Sequence, residues 1–331
     1  PFTLNPISER RFKYTRNRPE VHDIVKELRM LIDEYKDRML VGEIFTFPPG
    51  DTSLSASFLG NGEDELHLAF DFTLLYKRWS SRKFYKYAKK WFKRIPEKGW
   101  PCHVLSNHDQ PRHINRFPFG HDVKKRAYVA AAYLLTLKGT PFMYYGEEIG
   151  MKSYPIDRKN IIDPLGKKFW PFFAGRDPSR TPMQWNRDLN AGFSKGTPWL
   201  PANRDYLDNN VEQHENDKYS LLHFYKKLLQ VRKNEKALQM GNWKPLIKGK
   251  TGILAYIRTL DNSEIFIVLN FTQKMKEINL SRPGQWQVLV STHKFEREHY
   301  TDLQMQIYPY EATIIKKIGE LKRQLFRKPK E

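Results

Sequence analysis

The chain has 331 residues, enough to bury the core of one large or two ordinary domains, and its 40% hydrophobic and 28% charged residues exclude a largely disordered polymer. No stretch approaches the ~18 consecutive apolar residues of a membrane span, and the single cysteine, Cys102, excludes an intrachain disulfide and argues against a cysteine-built zinc site. The formal charge of +20 raises nucleic acid as a partner. However, no RNA-binding sheet signature, glycine-rich phosphate loop or zinc-finger spacing accompanies it, so a solvated basic surface and no nucleic-acid function are expected.

The opening residues 1–20 lack an initiator Met and the apolar core of a signal peptide. The true N-terminus is expected upstream, and the lone cysteine suits a reducing, cytoplasmic setting. Residues 19–37 read as a helix: Pro19 suits a first helical position, and Val21, Ile24, Leu28, Leu31 and Tyr35 recur at helical spacing as a core-facing stripe. The run Met39-Leu40-Val41-Gly42-Glu43-Ile44-Phe45 reads as a buried strand with a carboxylate near its end. The pattern then recurs. Residues 66–72 form a second strand candidate, 81–94 a helix, 102–106 a third strand running into Asn107-His108-Asp109, 123–137 a strong helix, and 141–145 a fourth strand before Gly146-Glu147-Glu148.

Strand, loop and helix in short cycles argue a parallel α/β architecture. Polar groups at strand C-termini are where a (β/α)8 barrel keeps its chemistry. Four strands do not close such a barrel, so the expected fold is its C-terminal half, over residues 1–239. Within it, 152–215 is irregular and suits a site wall, and 217–233 returns to helix with Leu221, Phe224, Tyr225 and Leu228 as its stripe. From about 240 a hairpin (253–258, 265–269) and strands at 286–290 and 312–317 predict a small all-β sandwich domain, 240–318, followed by a basic tail, 319–331.

Several side chains stand out chemically. Glu43 closes an apolar strand, where desolvation raises a carboxyl's pKa and suits it to act as an acid; a solvated strand-end glutamate is the plainer alternative. In Asn107-His108-Asp109, a histidine donor and a carboxylate can bind adjacent sugar hydroxyls, or the three can form a structural turn with Asp109 as a helix cap. Arg176 and Arg180 can fork onto hydroxyls or orient carboxylates. Trp185 suits core packing, and Glu147 and Glu148 suit a structural or a rim role.

Taken in order, Val41-Gly42-Glu43, Ser106-Asn107-His108-Asp109-Gln110-Pro111-Arg112, Lys138-Gly139-Thr140-Pro141-Phe142, Gly146-Glu147-Glu148-Ile149-Gly150-Met151, the run Arg176 to Trp185 and Asn190-Ala191-Gly192-Phe193 cover nearly the whole chain. The set resembles the α-amylase superfamily, glycoside hydrolase family 13, in its oligo-1,6-glucosidase and α-glucosidase branch. The sharpest single piece is Arg180-Thr181-Pro182-Met183-Gln184-Trp185.

The resemblance implies a retaining enzyme acting on α-1,4 or α-1,6 bonds of short gluco-oligosaccharides, with Glu43 as general acid/base on the fifth barrel strand. Asp109, on the seventh, would hold the 2- and 3-hydroxyls and favour the transition state, with His108 donating to the same hydroxyls. Arg176 and Arg180 would line the sugar pocket, and Arg112, grouped with the substrate-binding residues, would order the site loop. No cofactor is implied; where relatives bind calcium, the resemblance places that site in upstream loops.

Retention also needs a nucleophilic carboxylate about 5–5.5 Å from the acid. The family carries it after a Gly-Phe-Arg motif that this sequence lacks, and Asp23, Asp33 and Asp37 lie in or at the end of the first helix. The 331 residues alone are therefore expected to be inactive without the missing N-terminal barrel half. Three other readings compete. One is a transglycosylase or isomerase on the same scaffold, biased by the loop 113–122. A second is a non-catalytic amylase-like binding protein, such as the ectodomain of a transporter heavy chain. The last is a nucleic-acid binder.

Overall fold

The computed structural model of the chain describes residues 17–46, 49–117, 122–293 and 299–319. Residues 320–331 of the expected basic tail and 118–121 of the loop at 113–122 lie outside the described residues. The chain forms two compact units. One holds the described residues up to Tyr76 together with Ala88–Cys102, the other Lys77–Tyr87 together with the described residues from His103 onward.

The first unit contains α1 (Glu20–Asp33), β1 (Val41–Gly42), α2 (Thr52–Ser57), β2 (Leu68–Ala69) and the C-terminal half of α3 (Ser81–Arg94). β1 and β2 pair in parallel, Val41 with Leu68 and Gly42 with Ala69, as a strand–crossover–strand unit requires. Both strands are shorter than their apolar runs; among the described residues β1 pairs only with β2, so the ladder stops where that pairing stops. α2 begins at Asp51, whose Oδ1 accepts from Ser53 N at 3.0 Å and Leu54 N at 3.3 Å.

The core of this unit is Val25, Phe58, Leu59, Leu66 and Ala69, with Val21, Leu40 and Ile44 packed against it. The stripe expected on α1 is only partly right. Ile24, Leu28, Leu31 and Tyr35 are exposed, and the buried residue is Val25. The reason is that apolar side chains cover more than one side of α1, and the side that meets Phe58 and Leu66 carries Val21 and Val25, one turn apart. The helix also ends at Asp33, short of the expected 37. Cys102 closes the unit. Its thiol donates to the Ala69 carbonyl at 3.3 Å, and burial, then Asp71, pushes its pKa up to about 12, which leaves it unreactive near neutrality.

The second unit carries β3 (Cys102–Val104) from His103 on, α4 (His113–Arg116), α5 (Val123–Thr136), β4 (Thr140–Phe142), α6 (Pro164–Phe169), α7 (Val211–Asn216), α8 (Leu221–Asn234) and α9 (Lys236–Met240). β3 pairs with β4. α5 is buried on nearly every side from Arg126 to Thr136, because alanines and leucines leave it no polar face. Its C-terminal turn is tied by hydrogen bonds: Tyr133 Oη donates to Phe84 O at 2.9 Å, and Thr136 Oγ1 lies 2.6 Å from Tyr256 Oη. Ser220 caps α8 by accepting from His223 N, and Leu221, Phe224, Tyr225 and Leu228 are buried, the stripe expected for this helix.

Six strands complete the unit: β5 (Asn242–Lys248), β6 (Ile253–Leu260), β7 (Ser263–Asn270), β8 (Lys276–Ser291), β9 (His299–Ile307) and β10 (Ala312–Gly319). They form one sheet in the order β5-β6-β7-β10-β8-β9, with every pairing antiparallel. The expected hairpin is β6–β7, turning at Asp261 with φ 49°. Each of the six strands adds side chains to one core around Phe266 and Trp286, so a continuous, bulged ladder does the work expected of two facing sheets.

Arg258 of β6 is fully buried and donates to the carbonyls of Thr136, Leu238, Gly241 and Asn242 at 2.7–3.2 Å. These bonds anchor the sheet to the ends of α5 and α9.

Candidate active site

The site is built on the chain that leaves β3. Leu105 and Ser106 stay buried. Ser106 Oγ accepts from His113 N at 2.9 Å and lies 3.2 Å from His113 Nδ1. Asn107 then makes a tight turn, its Oδ1 accepting from Asp109 N at 3.1 Å and Gln110 N at 2.9 Å. The turn is thus a structural device, but Asp109 is not its cap. The carboxyl of Asp109 is lifted out of the backbone network and left partly exposed.

Three cationic or donor groups meet Asp109 at one oxygen. Arg180 Nη2 lies 2.7 Å from Oδ1, Arg176 Nη1 3.5 Å and His108 Nε2 3.5 Å. Arg180 also donates through Nε to His108 O at 2.9 Å. Arg176 is held from behind by buried Asp163, with Nε at 3.1 Å from Oδ2, Nη2 at 3.3 Å from Oδ1, and its backbone N at 2.8 Å from Oδ2. The hydrogen bonds from Arg176, first among them that of its side chain, hold the Asp163 carboxyl below the usual range and raise the guanidinium pKa in return.

Asp163 is itself fixed. It caps α6 through Leu165 N at 3.2 Å, and its own N–H donates to buried Asp177 at 2.9 Å. Asp177, Asp163, Arg176 and Asp109 therefore form one chain from buried loop to exposed carboxylate, with two guanidiniums facing one carboxylate at its open end.

Arg112 stands behind this face, 1% exposed. Its Nη1 donates to Tyr145 O and its Nη2 to Ser179 O, and its guanidinium carbon lies 4.8 Å and 4.6 Å from the ring centres of Tyr144 and Tyr145. Burial lowers its pKa, which the two tyrosines and Glu147 partly oppose. Tyr144 Oη donates to Ser179 O at 2.9 Å, Tyr145 Oη to Thr181 O at 2.6 Å, and Ser179 Oγ to Gln110 O at 2.8 Å. The segments 106–112, 144–148 and 176–181 are thereby laced together. Glu147 is buried with Oε1 3.6 Å from His113 Nδ1, and Glu148 is half-buried with its pKa raised by desolvation.

Residues 5–241 match the model of the alpha amylase catalytic domain, and residues 246–314 match that of the maltogenic amylase C-terminal domain. The chain belongs to the α-amylase family, glycoside hydrolase family 13. Its fold is accordingly part of the family's (β/α)8 barrel followed by an all-β domain.

Among curated relatives it is 32% identical to a probable alpha-glucosidase of Rhizobium meliloti over 84% of this chain, and 32% identical to an oligo-1,6-glucosidase of Parageobacillus thermoglucosidasius over 92%. The chain spans 51% and 59% of the length of those two proteins. Among solved structures it resembles a trehalulose synthase from Pseudomonas mesoacidophila, with a TM-score of 0.77 and 26% identity, over 90% of this chain and 59% of the other. An isomaltulose synthase mutant from Erwinia rhapontici, in complex with D-glucose, matches with a TM-score of 0.77 and 29% identity over the same shares.

Of the residues singled out by sequence, His108, Asp109, Arg176 and Arg180 come together in the second unit, with Arg112 buried behind them. Glu43 belongs to the first unit, directly after β1. It is exposed rather than desolvated as expected, as are its neighbours Val41 and Phe45, because the two-residue β1 does not enclose its end. Trp185 is 49% exposed and is not core. Sequence reasoning passes over Asp163, although Asp163-Pro164 carries the cap-then-proline signal of a helix start. Its link to Arg176 spans 13 residues of irregular chain and leaves no periodic trace.

Proposed function

We propose that this chain supplies the acid catalyst and the hydroxyl clamp of a retaining α-glucosidase that cleaves α-1,4 or α-1,6 bonds of short gluco-oligosaccharides. The observation that carries the reading is the clamp. Arg176, Arg180 and His108 all approach Oδ1 of Asp109 and none of these contacts uses Oδ2. Through Oδ2, Asp109 accepts from the 2- and 3-hydroxyls of the bound glucose, bonds that strengthen as the ring flattens toward the oxocarbenium ion. His108 donates to the same hydroxyls. Arg176 and Arg180 wall the sugar pocket, and Arg112, which touches no ligand, fixes the loop that carries them.

Glu43 is assigned as the acid/base. It gives its proton to the glycosidic oxygen as the bond to C1 breaks, and the carboxylate that remains takes a proton from the water that later frees the glucose. Between these steps C1 is held by a carboxylate nucleophile, which the family places after a Gly-Phe-Arg motif not found in this sequence. The active form in this reading is the chain joined to a segment bearing that Asp, and the reaction needs no cofactor. Neither nucleic acid nor membrane enters it; no helix among the described residues is long and apolar enough to cross a membrane.

The test is hydrolysis of p-nitrophenyl α-glucoside by the joined protein, wild type against Glu43→Gln and Asp109→Asn. Each variant is expected to lose at least ~10³-fold in kcat; equal activity of Glu43→Gln and wild type removes the acid assignment. A second reading, transfer of the glucosyl group to another sugar, is favoured by the likeness to trehalulose and isomaltulose synthases. Product analysis with maltose, isomaltose and sucrose separates the two.

A further inference from the structure

A small part of the chain's positive charge lines a cleft in the second unit. The cleft, of about 600 Å³ and well within the range of small-molecule sites, opens between α5, α8 and the chain at the ends of β8 and β10. Lys125, Lys218, Lys227, His223 and His293 line it, and among the described residues no carboxylate does. Two acids stand beside it and are shared with its cations: Asp122 lies 3.1 Å from Lys125, and Glu215 lies 2.5 Å from Lys226 and 3.9 Å from His223. Among the described residues, Lys218 and Lys227 are left with no ion pair, and Glu311 accepts from Ser291 Oγ, Thr313 Oγ1 and Tyr308 N. Asp217 turns back to accept from Tyr219 N.

The walls are aromatic. Tyr128 and Phe224 sit 5.2 Å apart between ring centres, and Tyr128 Oη donates to the Tyr219 carbonyl at 3.0 Å, which fixes that ring at the edge of the cleft. Tyr310 is buried at the back. Lysine ammonium groups on flexible stems bind phosphate as point charges, and flat rings beside them offer a surface on which a sugar or a base can lie.

We propose that this cleft binds a small phosphate monoester carried on a ring, the phosphate between the lysines and the ring against the tyrosines. The chemistry is shared by a phosphorylated sugar and a nucleoside monophosphate. The size of the cleft favours such a ligand over a polymer, which would need a continuous groove. The site is independent of the glucosidase reading, since none of its lining residues belongs to the Asp109 cluster.

Titration calorimetry on the 331-residue chain tests it, with glucose 6-phosphate, adenosine monophosphate, inorganic phosphate and glucose as probes. At least one of the two esters is expected to bind with a dissociation constant of about 1 mM or tighter, inorganic phosphate about tenfold more weakly, and glucose not at this site; which ester binds tells sugar from base. Lys218→Gln with Lys227→Gln should weaken the ester about tenfold or more, whereas Lys218→Arg with Lys227→Arg should hold it within about threefold. Both lysines are exposed, so all these variants should melt with the wild type. Asp109→Asn should leave ester binding unchanged. The proposal is overturned if neither ester binds at about 10 mM, if the double Gln variant binds as wild type does, or if Asp109→Asn abolishes binding. An oligonucleotide that binds more tightly than either ester and is displaced by neither would also overturn it.

Discussion

Arg180 grips Asp109 and the turn that carries it at the same time, Nη2 reaching the carboxylate at 2.7 Å while Nε holds the His108 carbonyl at 2.9 Å. A lysine has one point of contact where this fork has two. Arg180→Lys, in the chain joined to its nucleophile, is therefore expected to lower kcat/KM on p-nitrophenyl α-glucoside by about 10- to 100-fold. The melting temperature should stay within a few degrees of wild type. A loss of activity that tracks a loss of fold would place Arg180 among the structural residues instead.

Asp163 fixes Arg176 from the buried side. Asp163→Asn keeps the shape and the cap on α6 but removes the charge, and is expected to cost about 1–3 kcal/mol in urea denaturation at pH 7. The pH dependence follows from the lowered carboxyl pKa. An Asp whose pKa falls on folding stabilises the fold fully above its unfolded value, near 3.8, and loses that contribution as the pH drops through its folded value. The gap between wild type and variant should thus be full at pH 7 and shrink as the pH falls below about 3.8; a gap independent of pH would mean that the charge is not what matters.

The strongly patterned parts of the molecule are legible in the amino-acid sequence. α5 and α8 are found where their apolar residues put them, and the hairpin β6–β7 follows two continuous apolar runs parted by Asp261-Asn262-Ser263. Strand length is less legible, because a strand extends only as far as a neighbour pairs with it, and β1 keeps two residues of a seven-residue apolar run. β5 and β9 go unread for other reasons. β9 does carry the signal, with Met305 and Ile307 buried between exposed Gln304 and Gln306, but the alternation is short; in β5 it is broken at Pro245, where the register shifts.

The site divides in the same way. Asp109, Arg176 and Arg180 sit in unusual polar runs that mark them out, whereas Asp163 acts through a long loop contact with no local pattern. The exposure of Glu43 runs against its sequence surroundings because an apolar sequence around a residue does not by itself enclose it.

His103 offers a stability switch that can be measured without any substrate. It is fully buried, with Nδ1 3.0 Å from Tyr87 Oη and Nε2 2.7 Å from the Lys138 carbonyl, and burial pulls its pKa from 6.5 down to about 4. Below pH 6.5 the unfolded chain takes up a proton that the folded ring refuses. Stability is therefore complete above that value and falls through the interval down to about 4, by roughly 3 kcal/mol in total. His103→Gln removes the titration. Its denaturation midpoint should vary less with pH between 6.5 and 4 than that of wild type; parallel curves would show that the ring titrates normally in the fold.

Two glycines flank the buried Glu147 and separate backbone strain from packing. Gly146 (φ 83°) and Gly150 (φ 63°) are both left-handed, so an alanine at either costs about 1–2 kcal/mol in backbone energy alone. Their surroundings differ. A Cβ on Gly146 would come within 2.7 Å of Met151 Sδ, 2.8 Å of its Cβ and 3.1 Å of Arg112 Nη1, whereas on Gly150 the nearest atom is Ile114 Cδ1 at 3.3 Å. Gly146→Ala must therefore move Met151 or the guanidinium that ties Tyr145 to Ser179, and Gly150→Ala need not. Gly146→Ala is expected to destabilise the chain by at least ~1 kcal/mol more than Gly150→Ala. In the joined protein it should also lower kcat, while Gly150→Ala leaves kcat near wild type. Equal losses in the two variants would mean that Arg112 absorbs the added methyl without disturbing the loop, and would separate its burial from any part in ordering the site.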